Sequence, residues 1–493
     1  MSRAGERSAR SGRGAWAGPV ARLIAACGCT LALLAACVHY APQPRPPERV
    51  AESFAQRSLN DPQLHTLLDR QLPARAGGWP RIEWDRADLL LAMLYFNDGI
   101  AAQRAAAKVA LAGTRTAREF PNPTVGLLGE YANQHDGTPL WLWSVTTDWL
   151  VDAGTRRGAR IALADLSAQR ARYEFAEAAW KERAALRRAM ADLLLTEREI
   201  SLREAVSVDR AAQLQMARRR LDEGAASRGD LDRIVSDALL DEQLLHDTRR
   251  RASLARSALA GALGIPVAAL EGAKLTWEHL EDPPEVDAAV LARWREDAML
   301  ARADVHAAVV AYSIAENTLR LEVARQYPDV HIGPAYTYDH GVHRYQFNLG
   351  LTLPVFNRNR GPIGEAEAKR EQAGAVLEGT VATAWQEIDE AIRQWQLARA
   401  RLAAARGPVF AAAQHIYEQT VRGFDAGAND RTELVAARIA RTLSELLVLE
   451  SARTTQEALG TLEDALRRPL EGPELTVAAA LGQPPAVHQG VTQ

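Results

Sequence analysis

The sequence predicts a mainly α-helical chain with membrane β-strands, built as two structural repeats. Three observations carry this. Short segments recur at an offset of 202–205 residues, apolar residues recur every seven along extended stretches, and two segments alternate apolar and polar residues with period two. Composition agrees: 47% of the 493 residues are hydrophobic but only 6% are aromatic, and Ala, Arg, Leu and Glu dominate long stretches, which favours long helices over a sheet-rich globule. A formal net charge of −3 offers no basic excess for nucleic acid.

Residues 1–36 read as a lipoprotein signal peptide. Arg3, Arg7, Arg10 and Arg13 form a basic start, and Leu23 to Ala36 is an apolar run too short to span a bilayer. It ends in Leu34-Ala35-Ala36-Cys37, which resembles a bacterial lipobox. The thiol of Cys37 would take the diacylglyceryl group, and small residues ahead of it would let the peptidase grip the chain. Ile24-Ala25-Ala26-Cys27 is a rival match, but Arg22 leaves almost no apolar segment before it. The alternative is an ordinary signal peptide with a chance cysteine. Cleavage before Cys37 removes a net charge of +4 and leaves the mature chain at −7. Cys27 and Cys29 go with the leader, so the mature chain has no disulfide and must hold by packing. Val38 rather than Asp after the cysteine favours the outer membrane under the lipoprotein sorting rule, with the acyl chains inserted in its lipid.

Residues 37–84 are expected as a lipidated, extended N-terminal segment, Pro-rich over 42–47. The first repeat covers 85–264: a helix, a β-hairpin at 123–150, and a long helix pair with a tip turn at 221–230. Residues 265–302 lack heptads, carry Pro266, Pro283 and Pro284 with Trp277 and Trp294, and are expected as an equatorial collar of short helices. The second repeat covers 303–467, with a hairpin at 328–356 and a tip turn at 424–433. Residues 468–493, with Pro473, Pro484 and Pro485, are expected as a disordered tail.

The repeats superimpose residue by residue. Pro123, Val125 and Tyr131 match Pro328, Val330 and Tyr336 at an offset of 205, and Leu221, Gly224 and Asp230 match Phe424, Gly427 and Glu433 at 203. Leu186, Leu193, Ile200, Ser207 and Leu214 match Ile388, Trp395, Leu402, Val409 and Ile416 at 202. A sustained seven-residue repeat makes a narrow stripe that needs a helical partner. Arg160 to Asp222 contains neither Pro nor Gly, so one unbroken helix is expected there, whereas Gly407-Pro408 should kink its counterpart. In the hairpins, Tyr345, Phe347, Leu349, Leu351 and Leu353 alternate with Gln346, Asn348, Gly350 and Thr352; Trp141, Trp143, Val145, Thr147 and Trp149 alternate with Leu142, Ser144, Thr146 and Asp148. Such alternation fits strands of a transmembrane barrel, with the aromatic residues at the membrane interfaces; a soluble sandwich edge is the alternative. Four strands cannot close a membrane barrel alone, so the barrel reading needs several copies.

Two repeats that each place a hairpin between long heptad helices resemble the TolC-like outer-membrane efflux family, across residues 85–467. The paired turns Arg220-Leu221-Asp222-Glu223-Gly224-Ala225-Ala226-Ser227 and Phe424-Asp425-Ala426-Gly427-Ala428-Asn429-Asp430 look like that family's periplasmic tip turns. Leu353-Pro354-Val355-Phe356-Asn357 resembles its strand-to-helix exit; Trp149-Leu150-Val151-Asp152 in the first repeat lacks the proline. The lipobox points to the lipoprotein branch. The resemblance implies a homotrimer in which each copy gives four strands to a twelve-stranded barrel and its helices to a tunnel-forming α-barrel. It implies a periplasmic adaptor and an inner-membrane pump as partners, with passive conduction through the duct. A duct for type I peptide or protein secretion is the alternative within that class. A lipid-anchored periplasmic coiled-coil scaffold is the alternative outside it.

Gly224 and Gly427 fit helix C′ positions, while Ser227 and Asp430 fit N-caps with Asp230 and Glu433 three residues on. These residues therefore suit a plain αα-turn. By the resemblance, Asp230 and Glu433, with Asp425 and Asp430, also fall where carboxylates would ring a narrow pore and act as an electrostatic gate. Arg220, Leu221, Ser227, Gly427 and Ala428 would meet the adaptor. His340 and His343 have ligand-like spacing but too few partners, and are expected in a solvated loop. Trp385 and Trp395 are expected to pack, and Glu197 and Glu204 to form surface pairs. No phosphate loop, zinc-type spacing or nucleophile elbow is present, so no enzyme, cofactor or metal centre is expected.

Overall fold

The computed structural model describes residues 38–73, 78–131, 139–151, 155–475 and 477. The expected signal peptide, Cys37 and residues 478–493 lie outside them. Residues up to Gln56 form a unit of their own, containing helix α1 (Pro47–Ala55), which starts on a proline. The rest of the chain forms a second unit.

The segment 37–84 is not simply extended. Besides α1 it holds α2 (Pro62–Gln71), where Asp61 accepts from the backbone of Gln63 and Leu64 and where Leu64 and Leu68 are buried. Proline suits the first turn of a helix because the N–H it lacks has no partner there. Strand β1 (Glu83–Trp84) leads into α3 (Arg86–Phe96), closed at its start by an Asp85/Asp88 capping box.

From there one order of elements occurs twice. In the first half α4 (Asp98–Arg118) precedes β2 (Thr124–Tyr131), β3 (Trp141–Val151), α5 (Thr155–Asp222) and α6 (Arg228–Leu263). A 3₁₀ turn (Val267–Leu270), β4 (Lys274–Leu275) and α7 (Ala288–Ala301) intervene. In the second half α8 (Ala303–Ala324) precedes β5 (Val330–Asp339), β6 (Val342–Leu351), α9 (Arg360–Ala404), α10 (Ala411–Asp425) and α11 (Arg431–Leu466). Helix α5 is 68 residues without a break, about 100 Å at 1.5 Å per residue. Its counterpart does not simply kink at Gly407-Pro408. A π-helix (Ala405–Phe410) joins α9 to α10, since Pro408 supplies no N–H and its ring crowds the preceding turn.

The four long strands form one antiparallel sheet in the order β2-β3-β5-β6, while β1 and β4 pair in parallel. Leu127, Val145, Tyr336 and Tyr345 form one row across all four strands. Pro334 has no N–H for the ladder, and Thr147 Oγ1 donates to its carbonyl at 2.9 Å.

Two cores lie against the long helices. One joins Leu64, Leu68 and the leucines of α3 to Leu186, Met190 and Leu193 of α5 and to Leu259 and Leu263 of α6. Gly264 closes α6 at φ +78°, where an added Cβ would lie 2.8 Å from the Phe96 carbonyl oxygen, so glycine is required twice over. The other core joins Leu291 and Ala298 of α7 to Ile388 and Trp395 of α9 and to Leu459, Leu462 and Leu466 of α11. Burying each such leucine contributes about 1.5–3 kcal/mol.

The expected disordered tail is in part ordered. Glu471 pairs with Arg86 at 3.2 Å, Glu474 pairs with Arg183, and Val477 joins the first core. Arg86 and Arg183 are buried, and a buried guanidinium requires carboxylate partners that proline content does not reveal.

Candidate functional site

The two tip turns have the same construction. After α5, Gly224 adopts φ +73°, its N–H reaches the Leu221 carbonyl at 3.0 Å, and Ala225 N–H reaches Arg220 O at 2.7 Å. After α10, Gly427 adopts φ +75°, its N–H reaches Phe424 O at 3.0 Å, and Ala428 N–H reaches Gly423 O at 2.7 Å. Positive φ at both glycines closes the helix ends that a side chain would strain.

Both following helices begin with a reciprocal capping box. Ser227 Oγ accepts from Asp230 N–H at 3.1 Å and donates to Asp230 Oδ2 at 2.7 Å. Asp430 Oδ1 accepts from Glu433 N–H at 2.9 Å, and Glu433 Oε2 accepts from Asp430 N–H at 3.0 Å and from Asn429 Nδ2 at 2.8 Å. The Ser227 bonds hold the exposed Asp230 carboxyl below its ordinary range. The backbone bond from Glu433 does the same for Asp430, with the Arg220 charge assisting.

The turns also touch. Arg220 Nη2 lies 3.0 Å from Asp430 Oδ2, with both side chains about half exposed. Of the residues singled out at the tips, the structure thus brings together Arg220 with Asp430, Ser227 with Asp230, and Asp430 with Glu433. The Leu221 carbonyl accepts from Gly224 N–H in the first turn, and Gly427 and Ala428 form the second. Asp425 ends α10 with no partner pairing it to these groups among the described residues.

Elsewhere the readings vary. His340 caps the β5–β6 turn with Nδ1 2.8 Å from Asp339. His343 is not in a loop: it sits in β6 opposite Tyr338, with Nδ1 2.6 Å from Tyr336 Oη. The alternation continues through the turn and carries His343 into the ladder. Trp395 is buried, Arg256 pairs with Glu197 and Arg249 with Glu204, each at 2.7 Å. No cluster of His, Cys, Asp and Glu suited to a metal occurs among the described residues.

Sequence reading missed the charges between α5 and α11. Six rungs run from the equator to the tips. Glu177 meets Arg467 at 2.7 Å, Arg183 meets Glu463 at 2.8 Å, and Asp192 meets Arg453. Arg198 meets Glu445 at 2.9 Å, Asp209 meets Arg438, and Arg220 meets Asp430 at 3.0 Å. Glu199–Arg453 at 3.3 Å joins the same two segments, so both signs are interspersed along α5. A signal was present: paired numbers across two antiparallel helices must have a near-constant sum, and the sums of the six rungs stay between 643 and 650.

Deepest in this seam, Arg187 also reaches Glu463, at 3.0 Å, and Gln456. Burial alone would raise the Glu463 carboxyl, yet Arg187 and Arg183 hold it below its ordinary range. Its neighbour Asp464 is pushed up to about 6 by burial.

Long helices in two repeats, with a four-stranded sheet whose apolar residues are exposed, make a fold that this chain shares with solved outer-membrane channels. The Vibrio cholerae outer membrane protein VceC has a TM-score of 0.62 at 18% identity, covering 78% of this chain and 97% of VceC. The outer-membrane channel OprN gives 0.64 at 15% identity, covering 87% of this chain and 98% of OprN. Residues 294–466 match the family model of the outer membrane efflux proteins, bearing out the resemblance read from the sequence. Over 131 residues the chain is also 28% identical to outer membrane protein OprJ of Pseudomonas aeruginosa, a stretch that spans 26% of this chain and 27% of that relative.

Proposed function

We propose that the chain forms a homotrimeric outer-membrane duct that passively conducts substrates delivered by an inner-membrane pump through a periplasmic adaptor. The observation that carries this is the sheet. Its outer strands β2 and β6 have no further partner among the described residues, while Val125, Leu127, Tyr345, Phe347, Leu349 and Leu351 stay exposed. Unpaired strand edges are not tolerated in lipid, so a lipid-facing sheet must close on copies of itself. Three copies would give the twelve-stranded barrel, and the helices would continue it as an α-barrel.

Tyr131, Trp141, Trp143, Tyr336, Tyr338 and Tyr345 gather toward the turn end of the sheet, with Trp143 and Tyr336 ring centroids 5.1 Å apart. That girdle would sit at a membrane interface. Cys37, once acylated, would anchor the N-terminus in the outer membrane. At the opposite end Asp230, Glu433, Asp425 and Asp430 would ring the pore as a gate, and Arg220, Leu221, Ser227, Gly427 and Ala428 would meet the adaptor.

The test is purification from outer membranes in detergent. A heat-sensitive trimer that conducts in planar bilayers and carries labelled palmitate, lost in Cys37→Ala, is expected. Release of the Cys37→Ala chain as a soluble elongated monomer would overturn the duct in favour of a tethered scaffold.

A further inference from the structure

Besides the ladder of ion pairs between α5 and α11, a second tie joins the two repeats. It is made by the residues that follow α11. Arg467 reaches Glu177 of α5 at 2.7 Å, and the Arg468 guanidinium lies 4.7 Å from the Trp294 ring. Leu470 donates its N–H to Glu463 Oε1 at 2.8 Å and packs on the second core. Glu471 then pairs with Arg86 at 3.2 Å, Glu474 pairs with Arg183, and Val477 is buried in the first core. The segment thus crosses from one core to the other.

What it crosses is a pocket of positive charge. Arg86 of α3 and Arg187 of α5 face the same Trp277 ring at 4.3 Å and 5.2 Å. Arg86 and Arg183 each act against the positive charge of Arg187. Among the described residues three carboxylates pair with these arginines: Glu463 of α11, and Glu471 and Glu474 from the segment beyond it. None of these six residues is more than 7% exposed within a single copy, so their partners are set inside that copy. Asp464 lies beside them but is ion-paired with none among the described residues, and burial pushes its carboxyl up to about 6. A guanidinium keeps its charge, and burying it without a carboxylate costs far more than burying the pair. Without the segment, three guanidinium groups would face the Glu463 carboxylate alone, and the place of Val477 in the first core would be empty.

We propose that the segment after α11 is a latch, whose Glu471 and Glu474 fill a carboxylate-binding pocket of three buried arginines and so lock the second repeat onto the first. The fit is close: the backbone at Gly472, between the two glutamates, lies where an added Cβ would collide with the Arg86 guanidinium. These residues follow both repeats in the chain, so they dock last, and the equator closes only when they are in place. That this closure precedes assembly of a trimer rests on the duct reading above; the latch itself does not.

The test replaces both glutamates, Glu471→Gln with Glu474→Gln, in the full-length protein in detergent. The melting midpoint is expected to fall by about 5 °C. Trypsin cleavage after Arg467, read by mass spectrometry, is expected to become about tenfold faster, because a docked segment resists a protease. Wild-type values of both would overturn the latch. Arg86→Met separates charge from packing, since it removes the guanidinium and keeps an apolar stem. Combined with Glu471→Gln, it is expected to recover more than half of the melting shift that Glu471→Gln causes alone. No recovery would mean that the segment holds by packing alone and would overturn the charged pocket. That pair of variants also decides the matter if the double glutamine variant does not fold. The double glutamine variant is also expected to yield fewer heat-sensitive trimers. A wild-type chain that forms no trimer counts against the duct, and melting and cleavage then decide the latch alone.

Discussion

Arg183 of α5 donates to Glu463 of α11 at 2.8 Å, and neither side chain reaches solvent to any extent. Glu463 also faces Arg187 at 3.0 Å, so one carboxylate answers two buried guanidinium groups from the other half of the chain. Glu474 adds a second carboxylate to Arg183 from beyond the end of α11. The two halves are therefore fastened at the equator by charge as well as by leucine packing.

Removing Glu463 is the most damaging single change expected there. Glu463→Gln leaves Arg183 and Arg187 short of a counter-charge and should cost about 3–5 kcal/mol. The check is the urea midpoint of the purified protein, compared with an exposed control such as Glu365→Gln. A shift no larger than the control's would show that Glu474 suffices alone.

Asp464 predicts a pH dependence of a definite sign. Burial raises its folded pKa to about 6, above the unfolded carboxyl value of 3.8. Below that unfolded value both states are protonated and the residue is neutral to stability. As pH rises through 4 to 6 the unfolded state ionises first, and the fold loses up to about 3 kcal/mol. Asp464→Asn removes that loss, so its stabilisation should be absent near pH 4 and full above pH 6.5. Melting curves of both proteins across this range decide it; a gain independent of pH would contradict the assignment.

The ladder predicts a charge-swap result. Asp209→Arg sets two guanidinium groups against each other and should destabilise by about 2–3 kcal/mol. Arg438→Asp in the same chain should restore most of it, because the swap rebuilds the pair in reverse. Denaturation of the single and double variants completes the cycle. Absence of rescue would mean that Asp209 matters through its burial rather than its partner.

The tip separates capping from pairing. Asp430→Asn keeps an N-cap acceptor but loses the ion pair with Arg220, whereas Asp430→Ala loses both. Exchange at 431–436 should therefore rise strongly only in Asp430→Ala, a loss of about 1 kcal/mol. If the pair helps hold the tips closed, both variants and Arg220→Ala should raise single-channel conductance alike. Unchanged conductance in Arg220→Ala with an intact trimer would reject that role.

Glu433 sits in the same box, and its carboxylate is already engaged by two donors. Glu433→Ala should raise conductance if the charge ring gates the pore. Glu433→Gln keeps the hydrogen-bonding shape and isolates the charge. Equal, unaltered conductance in both would leave Glu433 a cap and nothing more.

Much of this molecule was legible in one dimension because its rules are local and periodic. Strand alternation, heptads, glycine at positive φ and capping residues three apart depend on near neighbours, and the order of helices, hairpins and tip turns follows from them. Proline content misled where proline starts a helix, as at Pro47, and where a π turn absorbs it, as at Pro408. The partners of charged residues were decided only in three dimensions. Arg183 and Glu463 lie 280 positions apart, and nothing local distinguishes a charge that will be buried and paired from one that stays in water. Antiparallel packing of α5 on α11 selects those partners, because only the register of two long helices determines which side chains meet.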